Sequence, residues 1–321
     1  MQLVDIKDLR VSFRHHDGVV SAVRGVTLGL SKGESLGIVG ESGSGKSVTF
    51  LALMRLLQAP AATIEADKLE LDGSDLLNAD AKALSDIRGS LVSMVFQDPM
   101  TSFDPLFTIG YQISETIQTH GNTGKKAALA QARELLAKVE IKHPDHVLKQ
   151  YPHQLSGGML QRAMIAMALS CEPRLLIADE PTTALDVTVQ AQILQLITDL
   201  QQETGMSLII ITHDLGVIAE TVDRVVVMYG GKVMEIGDTL EIFEDPLNPY
   251  TKALIESIPG REAGKRKLIE IPGSSPNALS PPSGCPFHPR CKLADDKCAS
   301  DAPNLSTFGK NRSAACWKVV Q

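Results

Sequence analysis

Eight residues near position 40 have the types and spacing of a loop that cradles phosphate. They follow an apolar run, Leu36–Val39, and lead into a helical pattern that continues from Val48. Glycines let the backbone curl until successive N–H groups face one anion, and the helix adds its positive N-terminal end. Lys46 then reaches the terminal phosphates and Ser47 ligates magnesium. This phosphate loop, which a purely structural glycine turn would explain less well, consists of Gly40, Glu41, Ser42, Gly43, Ser44, Gly45, Lys46 and Ser47.

A carboxylate pair stands where a buried strand is expected to end. Asp179 and Glu180 directly follow the apolar run Arg174–Ala178, and in parallel α/β sheets ligands bind at that edge. One carboxylate would hold magnesium and the next would orient or deprotonate an attacking water, which phosphoryl transfer requires. His213 and Gln97 also follow apolar runs, although alone each is weak evidence and His213 equally fits a capping role.

A second anion-binding helix start is predicted within Leu155–Arg162. Ser156 is a natural N-cap, and Gly157 and Gly158 leave the backbone exposed at the start of a helix that includes Gln161. One chain with two phosphate-seeking helix ends indicates that two chains share each nucleotide.

The pattern along the chain predicts an α/β fold. Short alternating strands open the sequence and predict an antiparallel β subdomain, and strands alternating with helices then predict a mostly parallel sheet. Helical spacing across about 98–170 predicts an inserted helical subdomain. We expect three segments, namely a domain at 1–258, a Pro/Gly-rich linker at 259–284 and a cysteine-rich appendage at 285–321. The main predicted helices are 109–119, 125–139, 159–170, 189–202 and 215–221, and the later strands are 91–96, 174–178, 208–212 and 224–229.

Composition bounds the setting in which the protein works. The 321 residues are 43% hydrophobic and carry a formal net charge of −7, which gives no reason to expect a nucleic-acid partner. No run approaches the roughly 18 apolar residues that cross a bilayer, and the N-terminus lacks the apolar core of a signal peptide. We therefore expect a cytoplasmic protein; any membrane-spanning part would belong to other chains.

Four of the five cysteines cluster near the C-terminus. Cys171 stands alone in an apolar helical pattern and is most simply a small buried hydrophobe. In a reducing compartment the cluster favours metal over disulfides, and its spacing lacks the paired C-x-x-C of most zinc ribbons. An iron–sulfur cluster, zinc and free thiols all remain open. We expect replacement of Cys291 to leave nucleotide binding at Lys46 largely intact, because this segment lies outside the nucleotide motifs. The four residues are Cys285, Cys291, Cys298 and Cys316.

The order of these motifs resembles that of ATPase subunits of ABC transporters. The phosphate loop, Gln97, 155–158, 175–180, Ala184-Leu185-Asp186 and His213 carry the resemblance, which covers nearly the whole chain. It implies a P-loop NTPase core that binds ATP and Mg²⁺. Lys46, Ser47 and Val48 would contact the nucleotide with the rest of the phosphate loop, and Phe13 would stack on adenine, although Phe13 also fits a strand core residue.

The resemblance also implies roles for the remaining residues. Gln97 and Asp179 would complete the magnesium site with Ser47, Glu180 would be the general base, and His213 would sense the γ-phosphate. The residues that would bind the partner's ATP are Ser156, Gly157, Gly158 and Gln161, and Asp186 would line the dimer interface.

Finer motifs resemble those of dipeptide and oligopeptide importers, and of the first of their two ATPase subunits. They are 97–105, 178–190, Asn248-Pro249-Tyr250-Thr251 and 285–291. This implies a second, homologous ATPase subunit, two membrane permeases, an indirect peptide-binding protein and a position on the cytoplasmic face of the bacterial inner membrane. It also implies a [4Fe–4S] cluster on the four cysteines, with zinc as the alternative. Other cargoes (nickel, glutathione, antimicrobial peptides) and soluble DNA-repair or translation ATPases are the rival interpretations.

Overall fold

The computed structural model describes residues 2–121, 123–183, 185–258 and 270–319. These residues form two compact units: the first comprises 1–31, 35–78 and 211–321, and the second 32–34 and 79–210. The strands are β1 (Gln2–His15), β2 (Gly18–Ser31), β3 (Ser35–Val39), β4 (Ala62–Glu65), β5 (Lys68–Leu71), β6 (Ser74–Asp75), β7 (Val92–Val95), β8 (Leu175–Asp179), β9 (Ser207–Thr212), β10 (Arg224–Tyr229), β11 (Lys232–Asp238), β12 (Ser306–Thr307) and β13 (Ser313–Ala314).

No helix of the described residues is long and apolar enough to cross a bilayer. The α-helices are α1 (Lys46–Leu53), α2 (Ala81–Ile87), α3 (Pro99–Ser102), α4 (Ile109–His120), α5 (Lys125–Lys138), α6 (Pro144–Val147), α7 (Gly157–Ala168), α8 (Val187–Thr204), α9 (Leu215–Thr221), α10 (Thr239–Glu244), α11 (Pro249–Glu256) and α12 (Asp296–Ser300).

An antiparallel sheet in the first unit has the order β2-β1-β5-β6, with β4 also paired to β1. The sequence pattern predicts two short strands at 3–6 and 9–13, but β1 is continuous. The pairing register shifts on both sides of Leu9, where Asp8 of β1 has φ 48° and Gly25 of β2 has φ 92°. A Cβ on Gly25 would lie 2.6 Å from the Asp8 carboxylate, so this bulge requires glycine and lets the ribbon run on.

The second sheet segment of this unit has the order β12-β13-β11-β10-β3. β3 and β10 are parallel and almost entirely buried, as predicted from their apolar runs. The sequence analysis missed β11, which returns antiparallel to β10 through Gly230-Gly231, both with positive φ. A Gly-Gly pair between apolar runs favours a two-residue hairpin, so this segment of sheet is mixed in direction.

The second unit holds β7, β8 and most of β9, with β7 and β8 parallel. Helices α4, α5 and α7 pack together through apolar stripes, and their predicted positions are confirmed. Helix α7 ends at Ala168, two residues before the predicted end. Cys171 therefore lies in the turn that follows rather than inside a helix, half-buried, with its sulfur 3.9 Å from the carbonyl oxygen of Thr116.

The described part of the predicted linker is packed against the first unit. Residues 270–284 contain neither helix nor strand, but Ala278 accepts a hydrogen bond from the backbone of Ser21 in β2. The carbonyl groups of Ile271 and Pro272 accept bonds from Arg290. Residues 259–269 of the predicted linker lie outside the described residues.

Glu235 in β11 is a fully buried carboxylate that joins three segments of this unit. It accepts hydrogen bonds from the backbone N–H groups of Leu247 (2.8 Å) and Asn248 (2.9 Å), and Arg312 lies 3.7 Å away. These partners satisfy the charge, because a buried carboxylate without them would be strongly unfavourable.

We predict that Glu235→Ala lowers the free energy of unfolding of this unit by about 3 kcal/mol, since it leaves the N–H groups of Leu247 and Asn248 without an acceptor and leaves Arg312 with Asp245 as its remaining acidic contact. The sole tryptophan, Trp317, lies in the same unit and reports its urea unfolding by fluorescence. Glu70→Ala, which breaks a partly exposed pair with Lys68, should cost less than about 1 kcal/mol. Equal losses in the two variants would contradict this role for Glu235.

Candidate functional site

The phosphate loop connects β3 to α1 in the first unit, and its glycines are required by close backbone contacts. Gly40 has φ 150°, and a Cβ there would lie 2.1 Å from the carbonyl oxygen of Met228 in β10. Gly45 has φ 94°, and its Cβ would lie 2.5 Å from the carbonyl oxygen of Ala22 in β2. Neighbouring strands therefore clamp the loop at both ends, so no side chain fits at these two positions.

Lys46 is the first residue of α1 and is 6% exposed. Its ammonium donates to the carbonyl oxygens of Gly40 (2.8 Å) and Glu41 (3.0 Å), so it lies across the loop. Ser47 and Val48 continue the first turn of the helix, half-buried. Ser42 and Gly43 form the exposed tip, whereas Ser44 is buried and its carbonyl accepts from the N–H of Gly231. The loop thus combines an N-terminal helix end and a cation, which suits a phosphate group.

Glu41 has contacts that the sequence analysis did not anticipate. Its backbone N–H donates to the Tyr250 hydroxyl at 3.0 Å, and its carboxylate accepts from Arg290 at 2.8 and 3.0 Å and from Ser275. Burial raises the pKa of Tyr250 well above its usual range, so the hydroxyl remains protonated. The appendage therefore contacts the phosphate loop directly, although it lies outside the nucleotide motifs of the sequence.

Two further predicted residues lie in the first unit. Phe13 is half-buried in β1, opposite Val20 of β2 and Ala62 of β4, and its role against adenine stays a prediction. His213 is exposed and directly follows β9. The N-cap of α9 is Asp214, which accepts from the N–H of Gly216 at 2.8 Å, so the capping role considered for His213 belongs to its neighbour.

The carboxylate pair lies in the second unit at the end of β8. Asp179 is 7% exposed, and Glu180 follows it with φ 45°, a backbone conformation that is unfavourable for glutamate. The Gln97 amide donates to the Glu180 carboxylate at 2.8 Å, and the Thr183 hydroxyl donates to the same oxygen at 3.0 Å. The structure thus brings together Gln97 and Glu180, which are 83 residues apart. Thr183 is an additional contact that no local pattern indicated.

The second predicted anion site is the start of α7. The Ser156 hydroxyl accepts from the N–H of Met159 at 3.4 Å, and Gly157 is exposed. A Cβ on Gly158 would lie 2.9 Å from Cγ1 of Val189 in α8, so close helix packing explains the absence of a side chain there. Gln161 is 2% exposed, and among the described residues its amide nitrogen has no hydrogen-bond partner.

Asp186 caps the N-terminus of α8, where its carboxylate accepts from the N–H of Val189 at 3.0 Å. It is exposed, and its predicted place in a dimer interface stays a prediction. Ala184 of the same motif lies outside the described residues.

All four C-terminal cysteines line one cavity of the first unit, together with Phe287 and His288. Cys285 donates its N–H to the carbonyl oxygen of Cys298 at 2.9 Å, which ties two of the four segments together. A ring nitrogen of His288 is bonded to the carbonyl oxygen of Cys285 at 2.9 Å, which favours a structural role for that histidine.

The positions of these sulfur atoms can be compared with the sulfur–sulfur distance around a single zinc ion. Tetrahedral zinc with Zn–S bonds near 2.3 Å holds its sulfurs about 3.8 Å apart. In the described part of the chain, only the exposed group His15, His16 and Asp17 has three ligand atoms within 4.8 Å of one another, so no three of these sulfurs approach that closely. Burial raises the pKa of the thiols, so metal binding would release protons; the thiols with raised pKa are Cys285, Cys298 and Cys316.

Comparison with known proteins identifies the class. A family model described as ABC transporter matches residues 23–183, and a solved dimeric ATP-binding cassette in a post-hydrolysis state bound to ADP and phosphate superposes with a TM-score of 0.64. That structure is 27% identical, covering 74% of this chain and 98% of its own. The chain belongs to the ABC transporter family and has the ATP-binding cassette fold, as its motifs predicted.

The C-terminal part narrows the assignment. A family model described as oligopeptide/dipeptide transporter, C-terminal region, matches residues 234–298. The dipeptide transport ATP-binding protein DppD of Escherichia coli is 46% identical over 98% of this chain and 96% of its own length. The oligopeptide transport ATP-binding protein OppD of Haemophilus influenzae is 48% identical over 98% and 97%, respectively. A probable peptide ABC transporter ATP-binding protein of Sinorhizobium fredii is 48% identical over 98% and 95%.

The packing of α7 against α8 predicts that alanine substitutions at the adjacent glycines Gly157 and Gly158 change the free energy of unfolding by different amounts. Gly158→Ala should lower the free energy of unfolding of the second unit by about 2 kcal/mol, because the new methyl group would overlap Val189. Gly157→Ala should have little effect, since its Cβ would make an ordinary contact at 3.6 Å with Leu185. Urea unfolding followed by circular dichroism measures both variants. Failure of Val189→Ala to rescue Gly158→Ala would contradict the packing explanation.

Proposed function

We propose that this chain is the ATP-binding and ATP-hydrolysing subunit that drives import of dipeptides or oligopeptides through a membrane ABC transporter. The phosphate loop carries the proposal, since its buried lysine opens a helix directly after a loop that is bounded by two glycines accepting no side chain. The names of the relatives support a peptide cargo over nickel or glutathione. Soluble DNA-repair or translation ATPases are not supported by the C-terminal family match.

The residue roles follow from chemistry and from the family. Lys46 would bind the terminal phosphates, and Ser47, Gln97 and Asp179 would hold Mg²⁺ with their oxygen atoms, the ligands that this ion prefers. Glu180 would accept the proton of the attacking water. Its bonds to Gln97 and Thr183 fix the orientation of the carboxylate, which supports that role. Phe13 would stack on adenine and His213 would sense the γ-phosphate.

The partners are proposed on the same basis. The exposed start of α7, with Ser156 and Gly157, would bind ATP held by a second, homologous ATPase subunit, and exposed Asp186 would line the interface between the subunits. Two permeases would supply the membrane passage and a peptide-binding protein would deliver cargo to them. The chain would then lie on the cytoplasmic face of the bacterial inner membrane as a peripheral subunit. Its ATPase domain would span 1–258, with the helical subdomain at about 98–170 and the appendage at 285–321.

The cysteine cavity is proposed to hold a [4Fe–4S] cluster. Four thiols line one cavity, and no three of their sulfur atoms lie within 4.8 Å of one another. Such a cluster would cross-link segments that otherwise bury little apolar surface. Zinc is the alternative occupant.

We predict that Glu180→Gln retains ATP binding and lowers hydrolysis by about a thousandfold, because the amide keeps the shape of the side chain but cannot accept a proton. Peptide uptake into proteoliposomes that contain the assembled transporter should stop as well. Glu172→Gln is the matched control, since Glu172 also has positive φ and lies in the same unit. Hydrolysis near the wild-type rate in Glu180→Gln would remove Glu180 from this role. Absence of ATP-dependent peptide uptake by the wild-type transporter would reject the peptide cargo.

Protein purified without oxygen should be brown and contain about four iron and four sulfide per chain. Cys291→Ser should remove the colour and the iron, whereas Cys171→Ser should retain both because Cys171 lies in the other unit. Metal analysis and visible absorption make the measurement. Colourless protein with one zinc per chain would reject the cluster and favour a structural zinc site.

A further inference from the structure

Two chains of contacts connect the cysteine cavity to Glu41 of the phosphate loop. The first passes through Arg290, the residue before Cys291. Its guanidinium donates to both carboxylate oxygens of Glu41, at 2.8 and 3.0 Å, and to the Tyr229 hydroxyl at 3.0 Å. Two further bonds hold it to backbone carbonyl groups of 271 and 272. With its side chain only 7% exposed and every arm of the fork bonded, Arg290 is held in one geometry.

The second chain of contacts starts beside Cys316. The carbonyl oxygen of Ala315 accepts from the Asn248 amide at 2.9 Å, and the Asn248 side-chain oxygen accepts from the N–H of Tyr250 at 2.9 Å. The Tyr250 hydroxyl in turn accepts from the N–H of Glu41 at 3.0 Å. Asn248 and Tyr250 are both almost completely buried.

An aromatic cluster joins the same two regions. Phe287, which lines the cysteine cavity and is 3% exposed, packs edge-on against Tyr229 and contacts the ring of Tyr250. The rings of Tyr229 and Tyr250 lie 4.5 Å apart between their centroids. A displacement of the cavity wall would therefore disturb the two tyrosines that contact Arg290 and Glu41.

The charge of Glu41 gives these contacts an electrostatic consequence. Its carboxylate belongs to a loop that must attract anionic phosphates, and its side chain is 22% exposed. Without a cation beside it, the carboxylate would repel the nucleotide, because solvent and salt screen the repulsion between partly buried charges only weakly. Arg290 neutralises this charge with a two-oxygen contact from the appendage.

We propose that Arg290 and Tyr250 are positioning residues through which the C-terminal cysteine segment sets the affinity of the phosphate loop for nucleotide. The inference rests on the proposed function, in which that loop binds ATP. Because coupling between two sites is reciprocal, nucleotide binding must also stabilise the cysteine segment.

Calorimetric titration of the full chain with MgADP tests the electrostatic part. Arg290→Gln should raise the Kd about tenfold, because it leaves the Glu41 charge uncompensated. Glu41→Gln completes the double-mutant cycle, and the double variant Glu41→Gln/Arg290→Gln should recover most of the affinity that Arg290→Gln loses, since the repelling charge has gone. Arg290→Lys should be intermediate. Arg133→Gln, which breaks an exposed pair with Asp145 at 2.9 Å, is the matched control and should leave the Kd unchanged.

Hydrogen exchange tests the reciprocal part on the same proteins. MgADP should slow exchange in peptides that cover 285–291 and 313–316 of the wild type, and this protection should be lost in Arg290→Gln. A merely structural role for Arg290 would raise exchange with or without nucleotide and would not be rescued by Glu41→Gln.

Four outcomes separate the two proposals. An Arg290→Gln protein with wild-type Kd overturns the inference, as does a double variant that binds as weakly as Arg290→Gln alone. If Arg290→Gln does not fold, unaltered exchange at 285–291 and 313–316 of the wild type upon MgADP binding overturns it equally. A wild-type chain that binds no MgADP rejects the proposed function itself.

Discussion

An anion-binding loop has to hold several backbone N–H groups toward one point, and the loop loses conformational freedom when it does so. Here the constraint is met by contact with neighbouring strands. The carbonyl oxygens of Met228 and Ala22 approach Gly40 and Gly45 so closely that neither position accepts a side chain. Lys46 crosses the loop to two of its carbonyl groups. Both strands of the first unit that touch the loop are therefore part of the proposed phosphate site.

Residues in the C-terminal part of the chain also hold the phosphate loop in place. Glu41 would be an unfavourable residue in a phosphate loop if its carboxylate were alone, yet Arg290 and Ser275 both bond to it. Tyr250 holds the backbone N–H of the same residue. The loop thus depends on residues that follow it by more than 200 positions, and a change in the cysteine segment reaches it through well-packed polar contacts.

In the second unit, contacts with other residues hold the Glu180 carboxylate in place. Glu180 adopts a left-handed backbone conformation at the end of a buried strand, which is a strained position that surrounding contacts must maintain. Gln97 and Thr183 supply those contacts by bonding to one carboxylate oxygen. A base oriented in advance has less conformational freedom to lose when it meets its water, which suits the proposed proton transfer.

The motifs, their order and most helices and buried strands were determined by sequence alone, because glycine spacing, capping residues and apolar periodicity act over a few neighbouring residues. That range also explains the errors. β1 was divided because its bulge near Asp8 depends on the partner strand β2, and β11 was missed although Gly230-Gly231 marks its hairpin. Only the tertiary structure decided that Glu180 meets Gln97, and that Arg290 of the appendage neutralises Glu41. Those pairs join residues far apart in the chain, and nothing in their local pattern encodes the partner.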